Sequence, residues 1–110
     1  MQKPYATGVD TLFSFLQEGT WTRPTDKMAV YTEVLPNCRW GIRVTLFADT
    51  ARVEAIEGPK CTWYKPPREL SIDVHPPNLW ERLRGITFET KLAAAVEEKR
   101  AYARAKNEQL

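Results

Sequence analysis

Three residues have the widest chemical repertoire in this chain: Cys38, Cys61 and the single histidine, His75. A zinc site asks for about four ligands in local clusters, whereas these three are scattered over separate elements, so no metal is expected. A Cys–His nucleophile could join Cys61 to His75 with Asp73 orienting the ring. Asp73 and His75 share one strand face, however, and no oxyanion loop accompanies them. The five glycines, at 8, 19, 41, 58 and 85, stand singly, which suits turns, caps or bulges and not a phosphate-binding loop. Glu54 and Glu57 fall on opposite strand faces, and Glu97-Glu98 lie on a solvated helix surface, so neither pair is arranged for acid–base work. The residues therefore predict a non-enzymatic protein with no cofactor and no small-molecule substrate.

The stretch richest in contact chemistry is Lys60-Cys61-Thr62-Trp63-Tyr64-Lys65-Pro66-Pro67-Arg68. Trp63 and Tyr64 could stack bases while Lys60, Lys65 and Arg68 meet phosphates. The same residue types dominate protein–protein hot spots. A purely structural role, with one aromatic in the core and the lysines guarding a sheet edge, is the first reading of the stretch, ahead of protein contact and then nucleic acid. Near the C-terminus, Arg100, Tyr102 and Arg104 complete the set of candidate partner-binding residues. Helix, Gly turn and helix over 79–109 would also suit a helix-turn-helix. The first helix is too short and carries bulky Trp80, and acidic residues interleave with the later cations, which argues against a sequence-specific DNA reader.

The elements that must position these residues follow from periodicity. Val9, Leu12, Phe13 and Leu16 recur at helical spacing, predicting a short N-terminal helix over 9–17. Thr20 to Lys27, with Pro24 inside a polar set, reads as a loop. Met28 to Leu35 and Arg39 to Ala48 read as strands, the second alternating Trp40, Ile42, Val44 and Leu46 against Arg43 and Thr45. A tight turn at Asp49-Thr50 leads into a strand over 51–57 and sets Leu46 against Val53, Val44 against Ala55 and Thr45 against Glu54. Extended further, that register places Cys38 opposite Cys61. Cys61 to Tyr64 is a short strand candidate, Lys65 to Arg68 an extended link, and Leu70, Ile72 and Val74 alternate in a last strand that Pro76-Pro77 stops.

Asn78 and Glu81 have capping-box spacing, predicting a short helix over 79–84 closed by Gly85. Thr87 caps a second start, and Phe88 to about Gln109 contains no Gly or Pro and is dense in strong helix formers. Phe88, Leu92 and Val96 anchor its first half. Beyond Val96 the apolar residues thin out, which predicts a distal half free to project. The fold class expected is α+β: a short N-terminal helix, an antiparallel β-meander of four to five strands over 28–75, and a long C-terminal helix, in one domain.

Hydrophobic residues at 43% and charged residues at 27% are globular proportions, and four Trp supply large apolar surfaces, so wholesale disorder is not expected. A net charge of +2 falls well short of a field that would point to nucleic acid by itself. No signal sequence and no spanning segment is evident, which predicts a cytoplasmic protein with no membrane partner.

The stretch Leu79-Trp80-Glu81-Arg82-Leu83-Arg84-Gly85-Ile86-Thr87-Phe88-Glu89, running into the Ala-rich helix, resembles the tail of short uncharacterised proteins of actinobacteria and their phages. The similarity covers about a third of the chain, and it implies an accessory phage protein without transferring an activity. The function expected is a protein-binding or self-associating accessory module, with nucleic-acid binding through 60–68 and the late helix cations as the alternative.

Overall fold

The structure, a computed structural model, describes residues 13–34, 39–58 and 68–109. Five strands, β1 (Thr20–Thr25), β2 (Met28–Val34), β3 (Trp40–Leu46), β4 (Ala51–Glu57) and β5 (Ser71–Val74), form one sheet in sequence order, with every neighbouring pair antiparallel. A one-turn 3-10 segment, Arg68–Leu70, leads into β5. Two helices follow, α1 (Leu79–Leu83) and α2 (Phe88–Glu108). This is the α+β meander with a long C-terminal helix that the alternating pattern implies.

Alternation decides which face is covered. Ile42, Val44 and Leu46 of β3 share a face with Ala51, Val53 and Ala55 of β4, and all are buried. Leu92, Ala95 and Val96 of α2 lie in the same core, at the three- and four-residue spacing that puts helical side chains on one stripe. From the N-terminal side, Phe13 and Leu16 close the end of that core. On the opposite face Arg43 Nε meets the almost fully buried Glu54 carboxylate at 2.9 Å, and Arg52 meets Asp73 at the same distance.

Several expectations are corrected. The β3–β4 hairpin turns on Ala48-Asp49, with the Phe47 N–H donating to the Thr50 carbonyl at 2.8 Å. Leu46 therefore faces Ala51, Val44 faces Val53, and Arg43, not Thr45, faces Glu54. A displacement of two residues returns every side chain to its own face, so hydropathy does not distinguish the two registers. The expected loop at 20–27 is mostly β1. Pro24 is tolerated there because β1 is a margin strand and its pairing with β2 is irregular between Thr22 and Thr25. The described part of the expected N-terminal helix, Phe13 to Gln17, is turn and irregular chain; residues 9–12 lie outside the described residues. So do Cys38 and Cys61, with the pairing suggested for them, and the strand candidate 61–64.

The distal half of α2 does not project. Lys99 is buried with its Nζ 2.8 Å from the Glu69 carbonyl, and Ala103 is buried one turn further on. Asn107 ends the seam: its Oδ1 accepts from the N–H groups of Arg39 at 3.1 Å and Trp40 at 2.9 Å, and its Nδ2 donates to the Trp40 carbonyl at 3.1 Å. Apart from Ala103 these anchors are polar, which is why an apolar count missed them.

Candidate protein-binding surface

The candidate residues on α2 turn out to have internal partners. Arg100 reaches across to β2, where its Nε and a terminal nitrogen bind the two Glu33 oxygens at 3.0 and 2.7 Å. The same guanidinium donates to the Phe15 carbonyl. The Tyr31 hydroxyl donates to Glu33 at 2.6 Å and accepts from the Gly19 N–H at 2.8 Å. Arg100 thus ties the last helix, the second strand and the N-terminal loop through one carboxylate. A two-pronged contact of this kind fits guanidinium geometry and not an ammonium.

The electrostatics agree with that geometry. Burial alone would raise the Glu33 carboxyl, but the hydrogen bonds from Arg100 and Tyr31 and the Arg100 charge outweigh it and hold Glu33 below its ordinary value. Burial, then the hydrogen bond and the charge of Glu33, push the Tyr31 phenol up to about 12. The Glu33 hydrogen bond raises Arg100.

Tyr102 packs edge-on against Trp40 with ring centroids 6.0 Å apart, and the Lys106 ammonium lies 5.7 Å from the Trp40 centroid and 5.8 Å from that of Tyr102. Arg104 pairs with Glu97 at 3.2 Å on the surface. A cleft of about 340 Å³ lies along this side of the helix, lined among others by Phe15, Glu33, Trp40, Arg100, Arg104 and Asn107. Arg100 is paired with Glu33 and Arg104 with Glu97, so both cations of the cleft are taken up by contacts within the chain. Of the other sequence candidates, Lys60, Trp63, Tyr64 and Lys65 lie outside the described residues, and Arg68 opens the 3-10 turn before β5. The structure brings Arg100 and Arg104 to one cleft, and none of the four described candidates belongs to α1.

The surface that sequence reasoning passed over is α1. Five residues cannot sustain a helix by their own hydrogen bonds, yet both ends are locked. Asn78 Oδ1 accepts from the Glu81 N–H at 2.8 Å while the Glu81 carboxylate accepts from the Asn78 N–H at 2.9 Å. At the other end Gly85, at φ 78, lets the Ile86 N–H return to the Glu81 carbonyl at 2.9 Å and its own N–H to Arg82 at 3.0 Å, a closed C-terminal cap. Lys91 of α2 then binds Glu81 at 3.1 Å. The Asn78 backbone bond, followed by Lys91, holds the Glu81 carboxyl below its ordinary value.

This fully capped helix buries no residue of its own. Leu79, Trp80 and Leu83 stand 59%, 72% and 69% exposed. Spaced at 79, 80 and 83 they form one ridge across a single turn, with exposed Arg82 and Arg84 beside it. The signal was present as three large apolar residues between Pro76-Pro77 and Gly85, too few turns to read as a core stripe.

Among the described residues no group of His, Cys, Asp and Glu is placed to hold a metal ion, and no helix is long and apolar enough to cross a membrane. Comparison with known proteins finds no match to the chain, whether among protein-family models, curated proteins or solved structures.

Proposed function

We propose that this chain is a protein-binding accessory module, not an enzyme, and that α1 is its contact element. One observation carries the reading: a helix fixed by caps at both ends, contributing nothing to the core, presents Leu79, Trp80 and Leu83 to solvent. Clustered exposed apolar side chains mark interaction sites more often than chance placement does, and Trp and Arg are the residue types that anchor interfaces. Because the helix is already ordered, binding through it loses little conformational entropy. The mutual neutralisation of Glu33, Arg100, Glu97 and Arg104 in the cleft supports a structural and not a catalytic use of those charges.

The test is affinity capture from cells that make the protein, with nuclease treatment, using the unaltered chain and a Trp80→Ser/Leu83→Ser variant side by side. Proteins retained by the first and lost by the second are the expected result. Identical protein profiles would overturn the role of α1, and a nuclease-sensitive profile would point to nucleic acid instead.

A further inference from the structure

Among the described residues, the strand order leaves β5 at one margin of the sheet, with β4 as its one neighbour. At the other margin, Pro24 and the irregular pairing of β1 interrupt the edge, which is a usual guard against strand addition. Within its described residues β5 is short and carries exposed Asp73, but it has no proline and no break in register. Ser71 to Val74 pair in unbroken register with Glu54 to Ala51, so the outer side of β5 is a short, straight row of backbone donors and acceptors. Such a row is complementary to another strand.

Beside this edge lies a groove of about 320 Å³ between β5 and α2, lined by Ile72, Asp73 and Val74 of the strand, Asp73 being paired with Arg52, and by Lys91, Ala94, Ala95 and Glu98 of the helix. The helical residues are ordered symmetrically: a cation, two alanines at the midpoint, an anion. A two-fold axis passing beside that midpoint sets Lys91 against Glu98 of a second copy and Glu98 against that copy's Lys91, with the smallest side chains where the helices approach.

We propose that the chain forms a homodimer by antiparallel addition of β5 to β5, with the two α2 helices side by side over the joint. Lys91, already bound to Glu81 at 3.1 Å, then lies between two carboxylates. Glu98, 3.4 Å from Lys99, lies between two ammonium groups. An unrelated extended peptide would satisfy the strand edge but not this reversal of charge, which is why the occupant is a second copy. The assembly does not depend on the role of α1.

Sedimentation equilibrium at low ionic strength, where rim charges are least screened, tests it with K91E, E98K and the double variant. The unaltered chain should have twice the monomer mass at high concentration, with amide exchange at 71–74 slowing as concentration rises. Each single variant sets like charges face to face and should raise the dimer dissociation constant at least about tenfold; K91E/E98K should return it to within about threefold. A strict monomer at about 0.5 mM, where most weak specific pairs would already associate, overturns the proposal. So does a dimer that both single variants leave unchanged, or one that the double variant fails to restore.

Discussion

The side chain of Asn107 does for Trp40 what a neighbouring strand would do, accepting from its N–H at 2.9 Å and donating to its carbonyl at 3.1 Å. A carboxamide is the one uncharged side chain that carries both a donor and an acceptor on a planar head like a peptide's. Asn107→Ala removes both and leaves the half-buried Trp40 N–H without this acceptor. A loss of about 1–3 kcal/mol in urea unfolding is expected. Asn107→Asp, which keeps the acceptor but not the donor, should fall between the two.

The Glu33–Tyr31–Arg100 cluster gives stability a dependence on pH at both extremes. Glu33 has a lower value folded than its ordinary 4.5, so its contribution is fully present above that value and is lost as pH falls through the folded value. Tyr31 runs in the other sense. Its phenol is raised from 10.0 to about 12 on folding, so its contribution is fully present below pH 10 and disappears as pH rises toward 12. Denaturation midpoints measured from pH 3 to 11 should show both slopes. Glu33→Gln should flatten the acid limb and Tyr31→Phe the alkaline one.

Two glycines should respond to alanine for different reasons. At Gly41 a Cβ would fall 1.9 Å from the Glu33 carbonyl oxygen, a backbone atom of the paired strand, so the strands must separate. Gly41→Ala is expected to cost about 3 kcal/mol or more. At Gly85 a Cβ meets nothing within 4 Å, and only the φ of 78 resists substitution. Gly85→Ala should cost about 1 kcal/mol and Gly85→Asn less. Thermal unfolding of the three variants separates the effects.

The ridge of α1 is expected to be nearly silent in stability. Trp80→Ser and Leu83→Ser remove exposed side chains from a helix that buries nothing, so each should shift unfolding by less than about 0.5 kcal/mol. Their near-native melting, checked by circular dichroism, is also what makes them usable in the capture experiment.

Local chemistry was legible in the sequence wherever a few adjacent residues decide the outcome. Asn78 with Glu81, Gly85 after the short helix, and Thr87 before the long one cap their helices as their spacing implied. The alternation of Ile42, Val44 and Leu46 named the covered face of β3. The hairpin register was not legible, since both turn placements put the same residues on the same face. β1 was hidden by Pro24, which counts against a strand only when both its sides are paired. The hold on distal α2 was missed because Lys99, Arg100 and Asn107 act through polar atoms whose partners are 30 or 67 positions away. Of the candidate site, the sequence named Arg100 and Arg104 but not Glu33, which absorbs one of them, nor the exposed ridge on α1.

The distances along the chain that these contacts close also order the events of folding. Each β hairpin from β1 to β4 joins close neighbours in sequence, whereas Arg100 to Glu33 and Asn107 to Trp40 each span 67 positions. Bringing such remote ends together costs more chain entropy than closing a hairpin. The sheet should therefore collapse first and the far end of α2 latch onto it last. In kinetic terms, Asn107→Ala should speed unfolding while leaving the refolding rate almost unchanged, and Val44→Ala, in the middle of the sheet, should slow refolding.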